Sequence, residues 1–441
     1  MNTNQSHPKS PEETKQLSLI DELVWRGSIH DASNQELLAQ FLETSSRTLY
    51  CGFDPTADSL HAGNLLPLTV FKRLINRGHK IIVLLGSATG LIGDPSGKSQ
   101  ERVLLDESIL KNNVTALKTQ IRSILGTENS DKIIFVQNGD WLSRLSFIDV
   151  LRDIGKHITV NYMIAKDSVK TRLSEREQGI SYTEFSYMLL QAYDFFHLFN
   201  TEGCSIQIGG SDQWGNITAG LDYIKKVKGS KTEAFGLTLP LLTTSEGKKF
   251  GKSEAGAIWL DPSKTSAYAF YQFWLNISDE EIERYLKLFS MRSPKEILDI
   301  LEEHRQAPEK RTAQKKLAEE LTSSLHGENE LKAVIEATNA LFTLKPESLT
   351  GQILVTLQDE IPTTRLKDNS LSLPMSLQEV LVTCKASTSK TAARKLIESG
   401  GVYVNHQRVE DAGATLEEQQ FLEGKAALLR TGKKHYFLIL K

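Results

Sequence analysis

The chain has 441 residues, 39% of them hydrophobic and 24% charged, and a formal net charge of −3. This length predicts about three domains, and the composition is that of an ordinary globular protein. The longest aliphatic run, Ile81 to Leu85, is far shorter than the roughly 20 apolar residues of a membrane span, so no membrane partner is predicted. The slightly negative charge argues against a general nucleic-acid coat protein.

The first 16 residues are polar and contain neither a secretory nor a mitochondrial address, so we predict a disordered extension over 1–16. The three cysteines, Cys51, Cys204 and Cys384, fit neither a disulfide framework nor zinc-ligand spacing. We therefore predict a cytoplasmic protein without a protein-bound metal.

Four segments predict alternating strands and helices in the first half of the chain. Arg47 to Phe53 is typical of a strand, and Leu65 to Arg77 has the apolar spacing of a helix. Lys80 to Gly86 and Lys132 to Gln137 are aliphatic runs, as buried parallel strands are. The pattern predicts a Rossmann-like, doubly wound α/β domain over residues 17–262.

The remaining sequence predicts three further segments. Residues 263–344 have helical periodicity without a strand pattern, which predicts an α-helical domain. Residues 345–374 contain three prolines and are predicted to be a linker. Residues 375–441 predict a small α+β domain that ends in a strand over His435 to Leu440.

Two short segments have the composition of a polyphosphate site. A predicted strand ends within Tyr50–Thr56, and His61–Asn64 stands at the start of the following helix, where unpaired N–H groups attract anions. Lys249–Ser253 places two lysines three positions apart around a glycine. Each segment alone is compatible with chance or with a basic surface loop, but the two together, in this order, favour nucleotide chemistry.

These segments resemble the HIGH and KMSKS signatures of the class I aminoacyl-tRNA synthetases, with Asn64 in place of the last histidine of HIGH. Gly90–Lys98, Tyr187–Asp194 and Gln207–Trp214 narrow the resemblance to the bacterial-type tyrosyl-tRNA synthetases, over almost the whole chain from about Leu17. The resemblance implies an enzyme that activates tyrosine with ATP and transfers it to tRNA(Tyr).

A spacing of i, i+4 and i+7 would put Tyr187, Gln191 and Asp194 on one face of a helix, as a core stripe or as part of a pocket. The resemblance implies a pocket in which Tyr187, Gln191 and Asp94 hold the ammonium group of tyrosine. Asp194 and Tyr50 would bind its phenol hydroxyl. The full tyrosine-binding set is Tyr50, Asp94, Tyr187, Gln191, Asp194 and Gln207.

The resemblance also implies an ATP site and a set of groups that stabilise the transition state. The expected ATP-binding residues are Cys51, Gly52, Asp54, His61, Gly63, Asn64, Gly210, Asp212, Gln213, Lys249 and Lys252. The expected catalytic residues are Thr56, His61, Lys98, Arg102, Lys249 and Lys252. Because the tyrosine carboxylate is already ionised, positioning and electrostatics suffice without a general base, and Mg²⁺ is expected to accompany ATP.

Ser389–Asn405 resembles the S-four-like RNA-binding module, with Lys390, Arg394 and Lys395 on a predicted helix and a Gly-Gly turn before a strand. A solvated helix face is the alternative for the basic residues alone. The resemblance implies that 375–441 and the helical domain, as an anticodon-recognition domain, bind tRNA, and that the protein is a homodimer.

Three alternative functions are open at this point. A tryptophanyl-tRNA synthetase shares the fold, although Asp194 with Tyr50 and the C-terminal module favour tyrosine. An HxGH nucleotidyltransferase would explain the phosphate segments but not the RNA module. A non-catalytic, synthetase-derived RNA-binding protein would explain the module but would not require the complete tyrosine pocket.

Overall fold

The computed structural model describes residues 17–96, 106–126, 131–166, 169–170, 173, 179–243, 250–253, 256–342, 349–367, 372–432 and 435–441. The predicted extension 1–16 lies outside this range. The chain forms two compact units, the first comprising residues 1–265 and 273–321 and the second comprising 266–272 and 322–441. Each unit is described by itself below.

The first unit is built on a six-stranded sheet in the order β1-β6-β5-β2-β3-β4. Its strands are Asp31–Ala32 (β1), Thr48–Phe53 (β2), Lys80–Leu85 (β3), Ile133–Gln137 (β4), Cys204–Gly210 (β5) and Phe235–Leu239 (β6). The short β1 is antiparallel to its neighbour, β6, and the other pairs of this sheet are parallel. The strand order reverses between β2 and β5, and in open α/β sheets such a crevice is where ligands bind.

The helices that accompany this sheet in the described part of the chain are Leu19–Trp25 (α1), Gln35–Thr44 (α2), Leu65–Asn76 (α3), Glu107–Leu125 (α4), Gly139–Leu142 (α5), Phe147–Asp149 (α6), Val160–Ile164 (α7), Tyr182–Glu202 (α8) and Trp214–Lys228 (α9). A small hairpin follows, made of Lys252–Ser253 (β7) and Gly256–Ala257 (β8). The chain continues with Ala267–Leu275 (α10), Asp279–Phe289 (α11), Pro294–Gln306 (α12), Thr312–His326 (α13) and Glu328–Phe342 (α14).

Parallel strands between helices must bury both faces, which explains their continuous apolar sequences. Ile81, Ile82 and Val83 of β3 are completely buried. The predicted strands and the predicted helix after β2 agree with β2, β3, β4 and α3 to within one residue at each end. The predicted α/β fold class is therefore confirmed.

The second unit contains a five-stranded sheet in the order β12-β11-β14-β15-β9. Its elements are Gly351–Thr356 (α15), Thr363–Arg365 (β9), Met375–Ser376 (β10), Leu377–Thr383 (α16), Lys390–Glu398 (α17), Val402–Val404 (β11), Gln407–Val409 (β12), Thr415–Leu416 (β13), Ala426–Thr431 (β14) and His435–Leu440 (β15). The short strands β10 and β13 form a separate pair.

The structure differs from the predicted linker over 345–374, because this segment contains α15 and β9. Leu354 and Leu357 are buried in the same apolar cluster as Leu438 of β15, and β9 pairs in parallel with that strand. Pro362 precedes the edge strand β9, a position where the missing N–H costs no sheet hydrogen bond. Pro362 therefore marks the border of a strand instead of belonging to an extended linker.

Among the described residues, no helix combines the length and the apolar character that crossing a membrane requires. The same part of the chain contains no cluster of three or more His, Cys, Asp or Glu side chains that could hold a metal ion.

Candidate active site

The candidate site lies where several parallel strands of the first unit end. Asp54 follows β2, Asp94 belongs to the segment after β3, Asn138 follows β4 and Asp212 follows β5. Since carboxyl ends of parallel strands share one edge of the sheet, these polar side chains converge there. The residues that surround them are mostly those predicted from the sequence.

Asp194, on the long helix α8, is buried and 2% exposed. One of its carboxylate oxygens accepts the indole N–H of Trp141 at 2.7 Å, and the other accepts an amide N–H of Asn138 at 3.0 Å. Burial raises the pKa of Asp194 to about 7, although both hydrogen bonds oppose the shift and the charge of Asp54 adds to it. The carboxyl group thus changes its protonation state close to neutral pH.

The hydroxyl of Tyr50 is buried and has no hydrogen-bond partner among the residues that the structure describes. Burial, followed by the charge of Asp194, raises the pKa of this phenol well above its ordinary value. The side-chain oxygen of Gln207 is likewise buried and without a partner in the described part of the chain. Each oxygen of Asp194 also keeps a second lone pair. A polar ligand could therefore donate to Asp194 or Gln207 and accept from the Tyr50 hydroxyl.

A chain of hydrogen bonds connects Asp194 with Tyr187. The Tyr187 hydroxyl donates to one oxygen of Asp54 at 3.0 Å, and Thr89 donates to the other at 3.1 Å. Asn138 donates to Thr89 at 2.9 Å as well as to Asp194. Asp54, predicted to bind ATP, therefore lies next to the predicted tyrosine site and fixes the Tyr187 hydroxyl.

A second network joins Asp94 to Gln191. The amide of Gln213 donates to Asp94 at 2.7 Å and to Asp212 at 3.1 Å, while Asn216 donates to the oxygens of Gln213 at 3.2 Å and Gln191 at 2.9 Å. Gln191 and Asp94 are thus connected through side chains from the α9 segment. Their placement fits a shared role at one end of a small ligand.

Cys51 and Gly210 border the same region. Burial raises the pKa of the Cys51 thiol to about 12, and the charge of Asp212 adds to the shift, so this cysteine is a neutral thiol. A Cβ atom on Gly210 would lie 2.5 Å from a carboxylate oxygen of Asp212, so a larger residue at this position would displace that carboxylate. Thr56 and Gly52, by contrast, are exposed at the strand end.

The turn over His61–Asn64 begins the helix α3. The imidazole Nδ1 of His61 accepts the Gly63 N–H at 3.1 Å, and the side-chain oxygen of Asn64 accepts the His61 N–H at 3.0 Å. Because Nδ1 is an acceptor, the proton of the neutral ring is on Nε2. The Asn64 side chain therefore stabilises the turn, in addition to its predicted contact with ATP.

The segment that resembles KMSKS lies directly against this turn. Ile258 connects the two, since its carbonyl accepts the Ala62 N–H and its own N–H donates to the Gly251 carbonyl, both at 2.8 Å. A Cβ atom on Gly251, whose φ is +80°, would lie 3.1 Å from the backbone nitrogen of Gly63. Two signatures that are almost 200 residues apart in the sequence thus share a backbone interface.

Phe250 anchors this interface. It is 5% exposed and packs in an aromatic cluster, with ring centroids 4.6 Å from Tyr285 and 5.6 Å from Trp274. Lys98, Arg102 and Lys249 lie outside the described residues, and only the backbone of Lys252, in β7, is described. Their predicted catalytic roles stay predictions.

In the second unit, Lys390, Arg394 and Lys395 are exposed on α17, whose buried face contains Ala393 and Ile397. Lys390 pairs with Glu379 at 2.9 Å and Arg394 with Glu398 at 2.7 Å. These exposed ion pairs are weak, and phosphate groups can compete for both cations. The predicted Gly-Gly turn is present, with Gly400 at a φ of +69° before β11.

The sequence analysis missed four residues of the site: Thr89, Asn138, Trp141 and Asn216. Asn138 and Trp141 hold the Asp194 carboxylate, and Asn216 links Gln191 to Gln213. The position of Asn138 directly after a predicted parallel strand is a signal that could have identified it. The role of Trp141 depends on a contact across 53 residues, which no local pattern reveals.

Comparisons with known proteins identify the family. The family model described as class I tRNA synthetases (W and Y) matches residues 43–343, and the model of the tyrosine–tRNA ligase SYY-like C-terminal domain matches 353–439. The chain is 48% identical to tyrosine–tRNA ligases of Roseiflexus castenholzii and Geobacillus kaustophilus, in each case over 96% of this chain and 99% of the relative.

Among solved structures, a C-terminally truncated mitochondrial tyrosyl-tRNA synthetase of Aspergillus nidulans is similar, with a TM-score of 0.67 and 34% sequence identity. The similarity covers 75% of this chain and 95% of that structure.

Proposed function

The chain belongs to the tyrosine–tRNA ligases of the class I aminoacyl-tRNA synthetases, and we propose that the site described above activates tyrosine. The overall reaction of the family joins tyrosine and ATP to tyrosyl-adenylate and pyrophosphate, and then transfers the tyrosyl group to the 3′-terminal ribose of tRNA(Tyr). The assignment of individual residues to these steps is our proposal.

The observation that carries the assignment is a pair of buried polar groups, Asp194 and the unpartnered Tyr50 hydroxyl, which lie close enough for the charge of Asp194 to raise the pKa of Tyr50. A phenol can donate its O–H to Asp194 and accept the O–H of Tyr50. A phenyl ring would add no donor to Asp194 and would leave the Tyr50 hydroxyl buried without a partner, which costs about 1–3 kcal/mol for a neutral group. The pocket therefore favours tyrosine over phenylalanine.

The opposite end of tyrosine is an ammonium group, for which we propose Tyr187, Gln191 and Asp94. Asp94 is 7% exposed and accepts hydrogen bonds from Gln213 and from the Ser96 N–H, so its orientation is fixed before the substrate binds. A fixed carboxylate attracts the ammonium group strongly, because the surrounding protein screens the charge less than water does. Gln207, whose buried oxygen lacks a partner in the described part of the chain, completes the proposed set of tyrosine-binding residues without an assigned contact to the ammonium group.

For the chemical step, we propose that a carboxylate oxygen of tyrosine attacks the α-phosphorus of ATP, so that a new O–P bond forms as the bond from the α-phosphorus to the pyrophosphate oxygen breaks. The ribose and α-phosphate would be surrounded by Cys51, Asn64, Asp212 and Gln213. The Nε2–H of His61, with Thr56, would donate to the phosphate oxygens that gain charge as pyrophosphate leaves. Mg²⁺ enters with ATP in this proposal, since phosphate oxygens and water are the ligands it prefers.

Lys249 and Lys252 are proposed to follow the charge of the leaving pyrophosphate, with Lys98 and Arg102 as supporting cations. The backbone contact between Gly251 and Gly63 supports this role, because it joins the lysine-bearing segment to the turn that carries His61. A group that acts mainly in the transition state raises the rate more than it raises substrate affinity.

For the RNA step, we propose that α17 contacts the phosphate backbone of tRNA(Tyr) through Lys390, Arg394 and Lys395. Such contacts position the RNA and carry no sequence information by themselves. The proposed domain roles are catalysis for 17–262, anticodon recognition for 263–344 and RNA binding for 375–441.

We also propose a homodimer. Large exposed apolar side chains are concentrated in residues 147–164, where Phe147 is 62% and Ile148 66% exposed, with Leu151, Val160 and Ile164 nearby in the sequence. Exposed apolar surface of this kind is typical of protein interfaces. A cytoplasmic location is proposed as well, since all three cysteines are buried free thiols.

Amino-acid-dependent ATP–pyrophosphate exchange, measured with each of the twenty amino acids, tests the proposal. We expect exchange with tyrosine alone. Exchange with tryptophan would refute the assignment of the pocket, and its absence with every amino acid would favour the non-catalytic RNA-binding alternative.

A further inference from the structure

The indole of Trp141 is held on two sides by one turn of α8. Its ring stacks on the imidazole of His197, with centroids 4.4 Å apart and 20° between the ring planes. Its Nε1–H donates to Asp194 at 2.7 Å. Residues three positions apart in a helix lie on the same face, so α8 supplies both the hydrogen-bond acceptor and the stacking surface.

The helix that carries Trp141 is too short to fix the position of the indole by itself. Trp141 belongs to α5, which has only four residues, and one helical turn does not hold its conformation unaided. The indole is half-buried and packs against the apolar cluster that contains Tyr50 and Leu198. Without His197, the indole has more freedom to rotate, and rotation would take one of the two donors away from the buried Asp194 carboxylate.

We propose that His197 is a positioning residue for tyrosine recognition, which holds the Trp141 indole so that its N–H stays on Asp194. The inference rests on the proposed role of Asp194 in binding the phenol. His197 acts here as a flat ring: burial lowers its pKa, so the imidazole is neutral at physiological pH, although the charge of Glu202 partly opposes the shift.

A double-mutant cycle tests the route through Trp141. The four proteins are the wild type, His197→Ala, Trp141→Phe and the double variant, each measured by tyrosine-dependent pyrophosphate exchange. In the wild-type background, His197→Ala removes the aromatic pair with Trp141 and should raise KM for tyrosine about threefold to tenfold, while KM for ATP stays unchanged. Because Trp141→Phe keeps a ring but has no N–H, His197→Ala should change KM less than about twofold in that background.

His197→Phe should restore the wild-type KM, since it keeps a stacking ring without an imidazole. Asn200→Ala is the matched control on the same helix, because Asn200 is exposed and its side chain donates to the Phe196 carbonyl, and it should leave KM unchanged. An equal increase of KM in both backgrounds, or an unchanged KM in His197→Ala, would overturn the proposal. Absence of tyrosine-dependent exchange in the wild type would instead refute the proposed function.

Discussion

Replacement of Gly251 by alanine tests whether the contact between the two signature segments matters for catalysis. Gly251 has a φ of +80°, and an added Cβ would lie 3.1 Å from the Gly63 nitrogen and 3.4 Å from the Ala62 Cβ. The backbone strain alone costs about 1–3 kcal/mol. The crowding should also push the segment with Lys249 and Lys252 away from the His61 turn. We therefore expect the free energy of the transition state to rise relative to that of the bound substrates.

If that cost is expressed in the activation step, kcat for tyrosine-dependent pyrophosphate exchange should fall about tenfold to a hundredfold, since about 1.4 kcal/mol corresponds to a factor of ten. Tyrosine affinity, measured by equilibrium dialysis without ATP, should not change, because the contacts of Asp194 and Asp94 are not involved. The two measurements together separate a transition-state effect from a general loss of structure.

Gly229→Ala is the matched control. Gly229 has a φ of +100° at the end of α9, and a Cβ added there would meet no described heavy atom within 4 Å beyond its immediate chain neighbours. This variant should lower the melting temperature through the same kind of strain while kcat stays close to that of the wild type. An unchanged kcat in Gly251→Ala, or an equal loss of kcat in both variants, would refute the importance of the interface.

Three other results are expected. Tyr50→Phe should raise the free energy of unfolding of the ligand-free protein by about 1 kcal/mol in denaturant titration, because it removes a buried hydroxyl that has no partner in the described structure, yet it should raise KM for tyrosine about tenfold. The kcat/KM for tyrosine should fall about tenfold per pH unit below pH 7, because the Asp194 carboxyl, with its pKa of about 7, becomes protonated there. Trp141→Phe should move this inflection to higher pH, since it removes a hydrogen-bond donor that lowers the pKa of Asp194. A profile that is flat between pH 5 and 8 would contradict this. Replacing Lys390, Arg394 and Lys395 by alanine should raise KM for tRNA and reduce the salt slope of tRNA binding by up to about 3, and an unchanged slope would exclude α17 from phosphate contact.

The sequence was sufficient for β2, β3 and β4 of the first unit because aliphatic runs such as Ile81–Leu85 are typical of parallel strands buried between helices. It was also sufficient for α8, where Tyr187, Gln191 and Asp194 recur at helical spacing and do lie on one helix. It failed over 345–374, since the pairing of β9 with β15 joins residues more than 70 positions apart and leaves only a weak local pattern. Prolines indicate where regular structure is interrupted, but not whether a short edge strand follows.

Within the site, the sequence identified the residues proposed to touch the substrate but not those that hold them. Tyr50, Asp94 and Asp194 stand in recognisable motifs. Asn138 and Trp141 do not, because their function depends on a distance to Asp194 that only the folded sheet creates. Hydrogen bonds to a buried carboxylate are needed wherever such a group is not paired with a cation, so a search for donors should follow each predicted buried acid.

The buried groups proposed to select tyrosine also lower the stability of the ligand-free protein. In the described structure, the Tyr50 hydroxyl and the Gln207 oxygen lack partners, and burial holds the pKa of Asp194 near 7 instead of near its usual value of about 4. Since the folded state binds this proton more tightly than the unfolded state, Asp194 lowers the stability of the free protein as pH rises from about 4 to about 7. A phenol relieves part of these costs by donating to Asp194 and accepting from Tyr50, whereas phenylalanine fills the same volume and relieves neither. If Tyr50 and Asp194 bind the phenol as proposed, substitutions at these positions that stabilise the ligand-free protein should weaken the preference for tyrosine over phenylalanine.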